Sequence, residues 1–566
     1  MFSTRHKITG QTKLWISLYL VFALSMGLVA CGGGGSGDSA TAPVAAVDAG
    51  AEANPSEVAA TVAAAEEASI MKELEDEADM SADESQKACK DRNNNTFKKL
   101  LSCVTLDGVR THQAKLRDIA TANGGTRVSG TKGFDDSAVY AEKVFKDAGY
   151  NVTRQEFAFL SFIELPGTSI AQVAPTPTAA ITTKLIGYSG SGKVTATVST
   201  PSQILGCNAA DFAGFPAGNI ALIKRGTCNF IVKANNAVAA GASAVVIYNR
   251  EPGEVSGTMG PEFTQTVVVT SVLQTVGEQL SAIPNLVLSI SASTVRGTST
   301  TSNIIAESKE GDPNNVVMVG AHLDSVNEGP GIQDNGTGSA AVLEVAKQMG
   351  KVKTRNKVRF VLWGAEETGL IGSTRYVEGL PEAEKAKIAL YLNFDMIGSP
   401  NHVFFIYDGD NSDGVGAGAG PAGSAGIERL FQTFYNKVGV SFKGTDFDGR
   451  SDYGPFIKAG IPSGGLFTGA EGTKTVAEAE VWGGIVGTAY DPCYHKACDN
   501  YGNVNLFALD INADAVAYAT LQFAMTTKSV NGIKGQNVSG QQKRSGYAMS
   551  PPMPAWKSHH EEEVEQ

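Results

Sequence analysis

The nine residues VVMVGAHLD (316–324) form an apolar run that ends in a histidine and an aspartate. Short runs rich in β-branched residues are typical of strands that are buried on both faces. The run FVLW (360–363) leads in the same way into GAEE (364–367), and LYLNF (390–394) leads into Asp395. Helical patterns lie between these strands. The alternation predicts an α/β domain with a mixed, largely parallel central sheet flanked by helices.

Histidine and carboxylate side chains stand where these apolar strands end. His322, Glu367 and Asp395 each follow a strand, and Asp334 lies just before a predicted helix. Ligands of open α/β sheets gather beyond the carboxyl ends of the strands, so these side chains can converge. Histidine and carboxylate without cysteine favour Zn²⁺ in a hydrolytic site. Two such ions, about 3.5 to 4 Å apart, need a bridging carboxylate, and Asp334 is the natural candidate.

Five motifs in this order resemble the co-catalytic di-zinc aminopeptidases of peptidase family M28, and most of all the secreted bacterial leucyl aminopeptidases. The motifs are AHLDSV (321–326), DNGTGSA (334–340), WGAEE (363–367), NFDMIG (393–398) and CYH (493–495). The resemblance covers about residues 104–526, with one interruption. It implies a zinc exopeptidase-like fold and the hydrolysis of N-terminal, Leu-like apolar residues from peptide substrates.

The resemblance also implies how the metal ligands divide between two Zn²⁺ ions per chain. One ion would be held by His322 and Asp395, and the other by Glu367 and His495. Asp334 would bridge the two ions. We expect this set of five residues to form the metal centre.

Three further residues take catalytic roles in this resemblance. Glu366 would be the general base and later the general acid. Asp324 would accept a hydrogen bond from the ring of His322 and so fix its tautomer. Tyr494 would donate a hydrogen bond to the developing oxyanion. A free α-amino group would lie against the carboxylates of Glu366 and Asp395, which favours cleavage from the N-terminus.

Substrate recognition is predicted from two stretches that resemble loops of the family's substrate pocket. These are GRSD (449–452), which contains Arg450, and GGLFTGA (464–470), which contains Phe467. With Met396 nearby, Phe467 predicts an apolar pocket for a Leu, Met or Phe side chain. The alternative is that these apolar residues belong to the core.

Three other functions compete with this interpretation. A carboxypeptidase of the same wider family needs a cation for the substrate's terminal carboxylate, and Arg450 is the strongest candidate. A glutaminyl cyclase would use a single zinc in a related fold. A receptor-like binding protein would keep the fold without catalysis, but all five ligand positions and Glu366 are intact here.

A calcium site is possible but is not predicted. Asp510 and Asp514 resemble acidic positions that bind an activating calcium in some relatives. An N-terminal aspartate completes that site in those relatives, whereas the aligned region here contains Cys103 and Val104.

The predicted peptidase domain, 96–165 and 296–530, is interrupted by a small domain at 166–295. This segment is rich in Thr, Val, Gly and Ala, and its stretch NIALIKRGTCNF (219–230) resembles the protease-associated domain, a small β-rich α+β unit. It contains no catalytic cluster. We expect the insert to form one side of the active-site mouth.

The N-terminal 31 residues predict an export signal. A basic start precedes an apolar run that ends in LVAC (28–31), which resembles a bacterial lipobox with Cys31 as the acylated residue. Residues 32–95 predict a low-complexity tether, and 531–566 a polar tail. The protein is therefore expected to be an outer-membrane or cell-surface lipoprotein, or to be secreted.

The six other cysteines predict disulfides, because their number is even and the protein is exported. Sequence proximity suggests the pairs Cys89 with Cys103, Cys207 with Cys228, and Cys493 with Cys498, although six cysteines allow about 15 connectivities. A structural zinc site is disfavoured because paired CxxC knuckles are absent.

The charge of the chain excludes nucleic acid as an expected partner. Its net charge is −12, its pI is about 5.2, and Lys and Arg are scattered. No apolar run beyond the signal is long enough to span a membrane, so membrane contact is expected only through a lipid on Cys31. The sequence sets no oligomeric state.

Overall fold

The computed structural model of the protein describes residues 89, 91–176, 178–250, 253, 255, 257–414, 416 and 418–533. The predicted signal peptide, the lipidation at Cys31 and nearly all of the tether and tail lie outside the described residues. Among the described helices, none combines the length and apolar character that crossing a bilayer requires.

The described residues form fourteen strands and thirteen α-helices. The strands are β1 (Asn151–Ala174), β2 (Ala179–Ile181), β3 (Lys184–Leu185), β4 (Gly192–Ser199), β5 (Ile220–Lys224), β6 (Ala244–Tyr248), β7 (Val268–Val272), β8 (Val287–Glu307), β9 (Asp312–His322), β10 (Asn356–Trp363), β11 (Ile388–Phe394), β12 (Phe405–Tyr407), β13 (Lys443–Thr445) and β14 (Ser463–Phe467). The α-helices are α1 (Phe97–Leu101), α2 (Leu106–Ala122), α3 (Lys132–Asp147), α4 (Phe230–Ala239), α5 (Gln274–Ser281), α6 (Gly336–Met349), α7 (Ile371–Gly379), α8 (Glu382–Lys385), α9 (Ser424–Val438), α10 (Tyr453–Lys458), α11 (Val476–Trp482), α12 (Leu506–Met525) and α13 (Lys528–Asn531).

The peptidase part contains a mixed sheet in the order β13-β12-β14-β11-β9-β10-β8-β1. Its centre is parallel, because β9 runs parallel to both β10 and β11, and β11 runs parallel to β14. Strands β8 and β12 are antiparallel to the neighbours that join them to this centre. The predicted fold class, a mixed and largely parallel sheet with flanking helices, is confirmed.

Strand β9 is buried on both faces, and its sequence explains why. Val317 and Val319 pack into the large core that includes α2, α3, α6 and α12. Val316 and Met318 point to the opposite face, where Trp363 and other aromatic residues form a second core. Because successive side chains of a strand alternate between faces, an unbroken apolar run fills both cores at once.

The insert is attached through a long two-stranded ribbon. β1 and β8 pair antiparallel from Asn151 opposite Glu307 to Ala174 opposite Val287. The insert boundaries predicted at 165/166 and 295/296 fall within this ribbon. Beyond it, the four strands β4, β5, β6 and β7 form a parallel sheet. β3 pairs antiparallel with β7 at the edge of this sheet.

The three disulfides form with the predicted pairing. Cys89 is bonded to Cys103, Cys207 to Cys228 within the insert, and Cys493 to Cys498. The last of these closes a loop with a sequence separation of only 5 residues, and this loop carries Tyr494 and His495.

A buried guanidinium joins two parts of the loop that leads from β9 to α6. The side chain of Arg127 is inaccessible to solvent, and its nitrogens donate to the main-chain oxygens of Leu323, Pro330 at 3.0 Å and Gly331 at 2.6 Å. Burial lowers the pKa of Arg127 to about 10, against the attraction of nearby carboxylates. The group therefore stays charged, and it holds the segments on either side of residues 324–329.

Arg127→Lys should lower the free energy of unfolding by about 2 to 4 kcal/mol, because a lysine ammonium cannot match the fork of donors and leaves buried carbonyl oxygens unsatisfied. Urea unfolding followed by circular dichroism measures this change. The matched control is Arg429→Lys, at a residue whose side chain is 61% exposed, and it should stay within about 0.5 kcal/mol of wild type. Equal stability of both variants would contradict the role given to Arg127.

Candidate metal centre

The parallel strands bring three of the five predicted ligands to one edge of the sheet. His322 is the last residue of β9, Asp395 directly follows β11, and Glu367 lies in the turn after β10. Because β11, β9 and β10 are neighbours, these three side chains meet at the carboxyl ends of the strands. Asp334 reaches the same place from the loop before α6. His495 comes from the disulfide-closed loop, 100 residues after Asp395.

Asp334 lies between the two histidines. Its Oδ1 is 3.2 Å from Nε2 of His322, and its Oδ2 is 3.3 Å from Nε2 of His495. Asp395 Oδ1 is 3.3 Å from the same nitrogen of His322, and Glu367 Oε2 is 3.1 Å from that of His495. The five side chains therefore form two histidine–carboxylate pairs with one carboxylate facing both.

These donors fit a divalent cation. Atoms of His322, Asp334 and Glu367 lie within 4.8 Å of one another, as do atoms of His322, Glu366 and Asp395. Buried oxygens of Glu366 and Asp395 accept no hydrogen bond from the described residues. Buried polar atoms without partners are rare and call for an ion or a water. Imidazole and carboxylate ligands without cysteine match catalytic zinc.

Burial and mutual repulsion dominate the electrostatics of this site. Burial raises the pKa of Glu366 well above its usual value, and that of Glu367 to about 7. Burial lowers the pKa of His322, but the Asp395 and Glu366 carboxylates outweigh it and raise that pKa. Burial alone would raise the pKa of Asp334, but hydrogen bonds from the two histidines hold it below its usual range. The cluster therefore requires positive charge at its centre.

Three residues beside or within the ligand set have a left-handed backbone. Ala365, just before the two glutamates, has φ 54°; Met396, just after Asp395, has φ 50°; and His495 itself has φ 53°. Such conformations cost of order 1 kcal/mol or more for residues with a Cβ and persist only where surrounding contacts hold them. The amide of Ala365 donates to Ser129 Oγ at 2.7 Å, and that of Met396 to Asn335 Oδ1 at 3.2 Å.

Asp324 and Tyr494 contact the two metal-site histidines. Nδ1 of His322 is 3.2 Å from the main-chain oxygen of Asp324 and 3.6 Å from its carboxylate, so the carbonyl is the nearer acceptor. This contact leaves Nε2 facing the carboxylates. The ring of Tyr494 stacks on His495 with centroids 3.8 Å apart. Burial raises the pKa of Tyr494, which keeps its hydroxyl protonated.

The three predicted substrate-binding residues lie together beside these groups. Met396, Ala470 and Tyr494 form an apolar cluster with Phe467 packed against it. Arg450 donates to Tyr494 Oη at 3.3 Å and pairs with Glu471 at 2.5 Å. Glu471 lies in the stretch after Ala470 and was missed, because a single glutamate in a loop carries no signal of its partner.

Sequence reasoning also missed the residues that hold the ligands in place. Asp499 accepts hydrogen bonds from the amides of Gln333 at 2.7 Å and Asp334 at 3.0 Å. Ser451 donates to Asp395 Oδ2 at 2.7 Å. Together with Arg127, these groups contact main chain or ligands that are distant in sequence, so spacing does not reveal them. The resemblance of residues 449–452 to a pocket loop was the one available signal for Ser451.

The acidic residues considered for calcium lie away from this centre, on α12. Asp107, at the start of α2, is near Asp510; after burial, it is the main cause that raises the pKa of Asp510. Burial and Asp510 raise the pKa of Asp514 to about 8. Among the described residues, Asp510 and Asp514 belong to no group of three converging donors.

A cavity opens from the metal centre towards the insert. Glu367 and His495 line it on the peptidase side, and Lys184, Tyr188 and Thr258 line it on the insert side. Residues of the insert therefore line a cavity beside two of the predicted ligands, and the insert's place at an active-site mouth stays a prediction.

Known proteins share this architecture. Residues 303–520 match peptidase family M28, and residues 191–280 match the PA domain. An aminopeptidase of Pseudomonas aeruginosa (strain UCBPP-PA14) is 46% identical over 78% of this chain and 86% of its own length. The probable lipoprotein aminopeptidase LpqL of Mycobacterium tuberculosis (strain ATCC 25618 / H37Rv) is 42% identical over 76% of the chain and 87% of its length.

Solved structures of aminopeptidases share this fold. The aminopeptidase from Aneurinibacillus sp. strain AM-1 superposes with a TM-score of 0.61 at 27% identity, over 75% of this chain and 95% of that one. A zinc aminopeptidase from Bacillus subtilis gives a TM-score of 0.56 at 25% identity, over 73% of this chain and 94% of that one. The chain therefore belongs to peptidase family M28 and is one of its aminopeptidases.

Proposed function

We propose that this aminopeptidase uses two zinc ions to remove Leu-like apolar residues from the N-termini of peptides. The observation that carries the proposal is the position of Asp334, whose two oxygens face different histidines at 3.2 and 3.3 Å. A carboxylate shared in this way suits a pair of metal ions, whereas a single ion needs no such bridge. His322 and Asp395 would hold one ion, and Glu367 and His495 the other.

Glu366 is the proposed general base. Zinc held by these ligands would act as a Lewis acid and bring the pKa of a bound water towards neutrality. Glu366 is buried, lies beside ligand Glu367, and has an oxygen that accepts no hydrogen bond from the described residues. That oxygen can take a proton from the attacking water and return it to the leaving amine.

Tyr494 is the proposed donor to the oxyanion. Its hydroxyl is held by Arg450 at 3.3 Å, and its ring is held against ligand His495. A phenol fixed in advance stabilises developing negative charge without having to reorganise during the reaction. Asp324 supports the opposite histidine through the contacts of its main chain and carboxylate with Nδ1.

The surroundings of Asp395 support recognition of an apolar N-terminal residue. Met396 follows this ligand directly and packs with Phe467 and Tyr494, so the substrate's first side chain would enter an apolar pocket. The carboxylates of Glu366 and Asp395 would attract the free α-amino group. Arg450, the candidate group for a C-terminal carboxylate, is paired with Glu471. This neutralisation favours an aminopeptidase over a carboxypeptidase.

Glu366→Gln should retain the metal and lose turnover. We expect wild type and variant to contain two zinc ions per chain by atomic emission spectroscopy, and kcat on a leucyl anilide to fall about 10²-fold or more in the variant. The matched control is Glu382→Gln, at a residue whose side chain is 88% exposed, and it should leave kcat unchanged. Robust turnover by Glu366→Gln would contradict the assignment of Glu366 as the general base. A content of one zinc per chain would contradict the bridging role of Asp334.

The direction and side-chain preference of cleavage are tested with three peptides that differ only at the N-terminus. A peptide beginning with free leucine should be hydrolysed, and the N-acetylated form should resist. A peptide beginning with glutamate should be cleaved roughly tenfold or more slowly, because the apolar pocket cannot solvate its charge. Loss of the C-terminal residue from the acetylated peptide would identify a carboxypeptidase. Binding of all three without cleavage would identify a receptor.

We further propose that the protein is exported and anchored by a lipid on Cys31. The sequence LVAC at 28–31 supports this. A relative that is 42% identical is named a probable lipoprotein aminopeptidase. Stable anchoring of a soluble domain through acyl chains needs no spanning helix.

Cys31→Ser should move the protein from the membrane to the soluble fraction of an expressing bacterium. Wild type should sediment with membranes and be released by detergent, because acyl chains partition into the bilayer. The control Ser36→Ala alters the same segment and should leave the distribution unchanged. Membrane association that survives Cys31→Ser would exclude the lipid anchor.

A further inference from the structure

A second cavity, of about 540 Å³, lies between the insert and the peptidase domain. We call it the interdomain groove. Insert residues line one wall, helix α7 lines the other, and the β1 strand contributes its floor. Its principal residues are Leu160, Ile231, Met259, Glu262, Ile371 and Arg375. None of them belongs to the metal centre.

The groove adjoins the cavity at the metal centre, because the two share lining residues. Tyr188, Thr258 and Thr368 line both spaces. Thr368 directly follows Glu367, a proposed ligand, and leads through a short turn into α7. A chain that leaves the metal centre past Glu367 therefore enters the interdomain groove.

The two sides of the metal centre differ in a way that gives the substrate a direction. On the Asp395 side lies the apolar cluster of Met396 and Phe467, where the proposed function places the side chain of the N-terminal residue. On the Glu367 side lies the opening towards Thr368 and the groove. With the scissile carbonyl between the two sides, the residues after the scissile bond point towards the groove.

The lining of the interdomain groove suits an extended peptide. Leu160 is 48% exposed, and Ile231 and Ile371 are half-buried in the same lining, so three apolar side chains face the groove together. Arg375 on α7 is exposed and has no ion pair or hydrogen bond with the described residues. Helix α7 rises about 1.5 Å per residue, so Arg375 lies roughly 6 Å along the axis from Ile371, its first residue, which is about the span of two residues of an extended peptide.

We propose that the interdomain groove binds the part of the substrate beyond the scissile bond. The insert thereby selects oligopeptides that carry an apolar side chain a few positions past the cut, and Arg375 attracts a carboxylate at the far end. This inference rests on the proposed function of the metal centre, because that function sets the direction of the peptide.

The test compares a leucyl anilide with a hexapeptide that has leucine first and phenylalanine third and fifth. Leu160→Glu should lower kcat/KM for the hexapeptide about tenfold or more, mainly through KM, because it places charge against an apolar side chain. Activity on the anilide, which does not reach the groove, should stay within about twofold. The matched control is Val295→Glu, at an equally exposed residue of the same ribbon outside the groove, and it should leave both substrates unchanged.

Arg375→Glu is a second, exposed variant that does not depend on the packing of Leu160. It should lower kcat/KM for the hexapeptide with a free C-terminal carboxylate and leave the anilide and the amidated hexapeptide unchanged. Fluorescence anisotropy of a labelled hexapeptide on Glu366→Gln protein reports binding without turnover, and adding Leu160→Glu should weaken that binding by a similar factor.

An equal loss on the anilide and the hexapeptide, or no loss on either, would overturn the role of the groove. Failure of the proposed function has a different signature. In that case wild type would not cleave the leucyl anilide at all, while the anisotropy measurement would still decide whether Leu160 contacts the peptide.

Discussion

The structure depends on one electrostatic constraint, which is the burial of four carboxylates close together. These carboxylates converge on two imidazoles in a buried pocket. Asp334, Glu366 and Asp395 are at most 9% exposed, and their neighbours are other carboxylates. Buried like charges are expensive unless cations balance them. The same arrangement that opposes folding of the empty site favours divalent cations, so metal binding and stability are linked in this protein.

The fold meets this constraint with main-chain contacts around the ligands. Arg127 donates to the carbonyl oxygens of Leu323, Pro330 and Gly331 and so joins the two ends of residues 324–329, and Asp499 accepts from the amide of Asp334 itself. The left-handed residues Ala365 and Met396 turn the chain sharply at the ends of two strands. The strands hold the predicted ligands rigidly because these residues lie at strand ends. The irregular backbone after each strand then directs the ligand side chains towards one point.

The insert changes what a common peptidase centre can reach. It is connected through the β1–β8 ribbon and lines both the cavity at the metal centre and the interdomain groove. The proposed pocket for the N-terminal residue is thereby bordered by a longer surface. Specificity for the first residue and for the following ones can thus be set by different parts of the chain.

The sequence by itself determined the fold class, the disulfide pairs and the identity of the five converging residues. Each depends on information that is local: apolar runs with polar ends, cysteines close in sequence, and short motifs that resemble those of a known family, on which His495 rests. Asp334 could be recognised as a bridging candidate from such a motif.

The tertiary structure alone decided which groups support these residues, because Arg127, Asp499 and Glu471 act on partners that folding brings to them from distant segments. It also decided that the carbonyl of Asp324 is nearer to His322 than its carboxylate is, and that Leu160 lines the groove between the insert and the peptidase domain. Such contacts depend on how distant segments lie next to each other in the folded chain. Composition and the spacing of residues in the sequence carry no information about that arrangement.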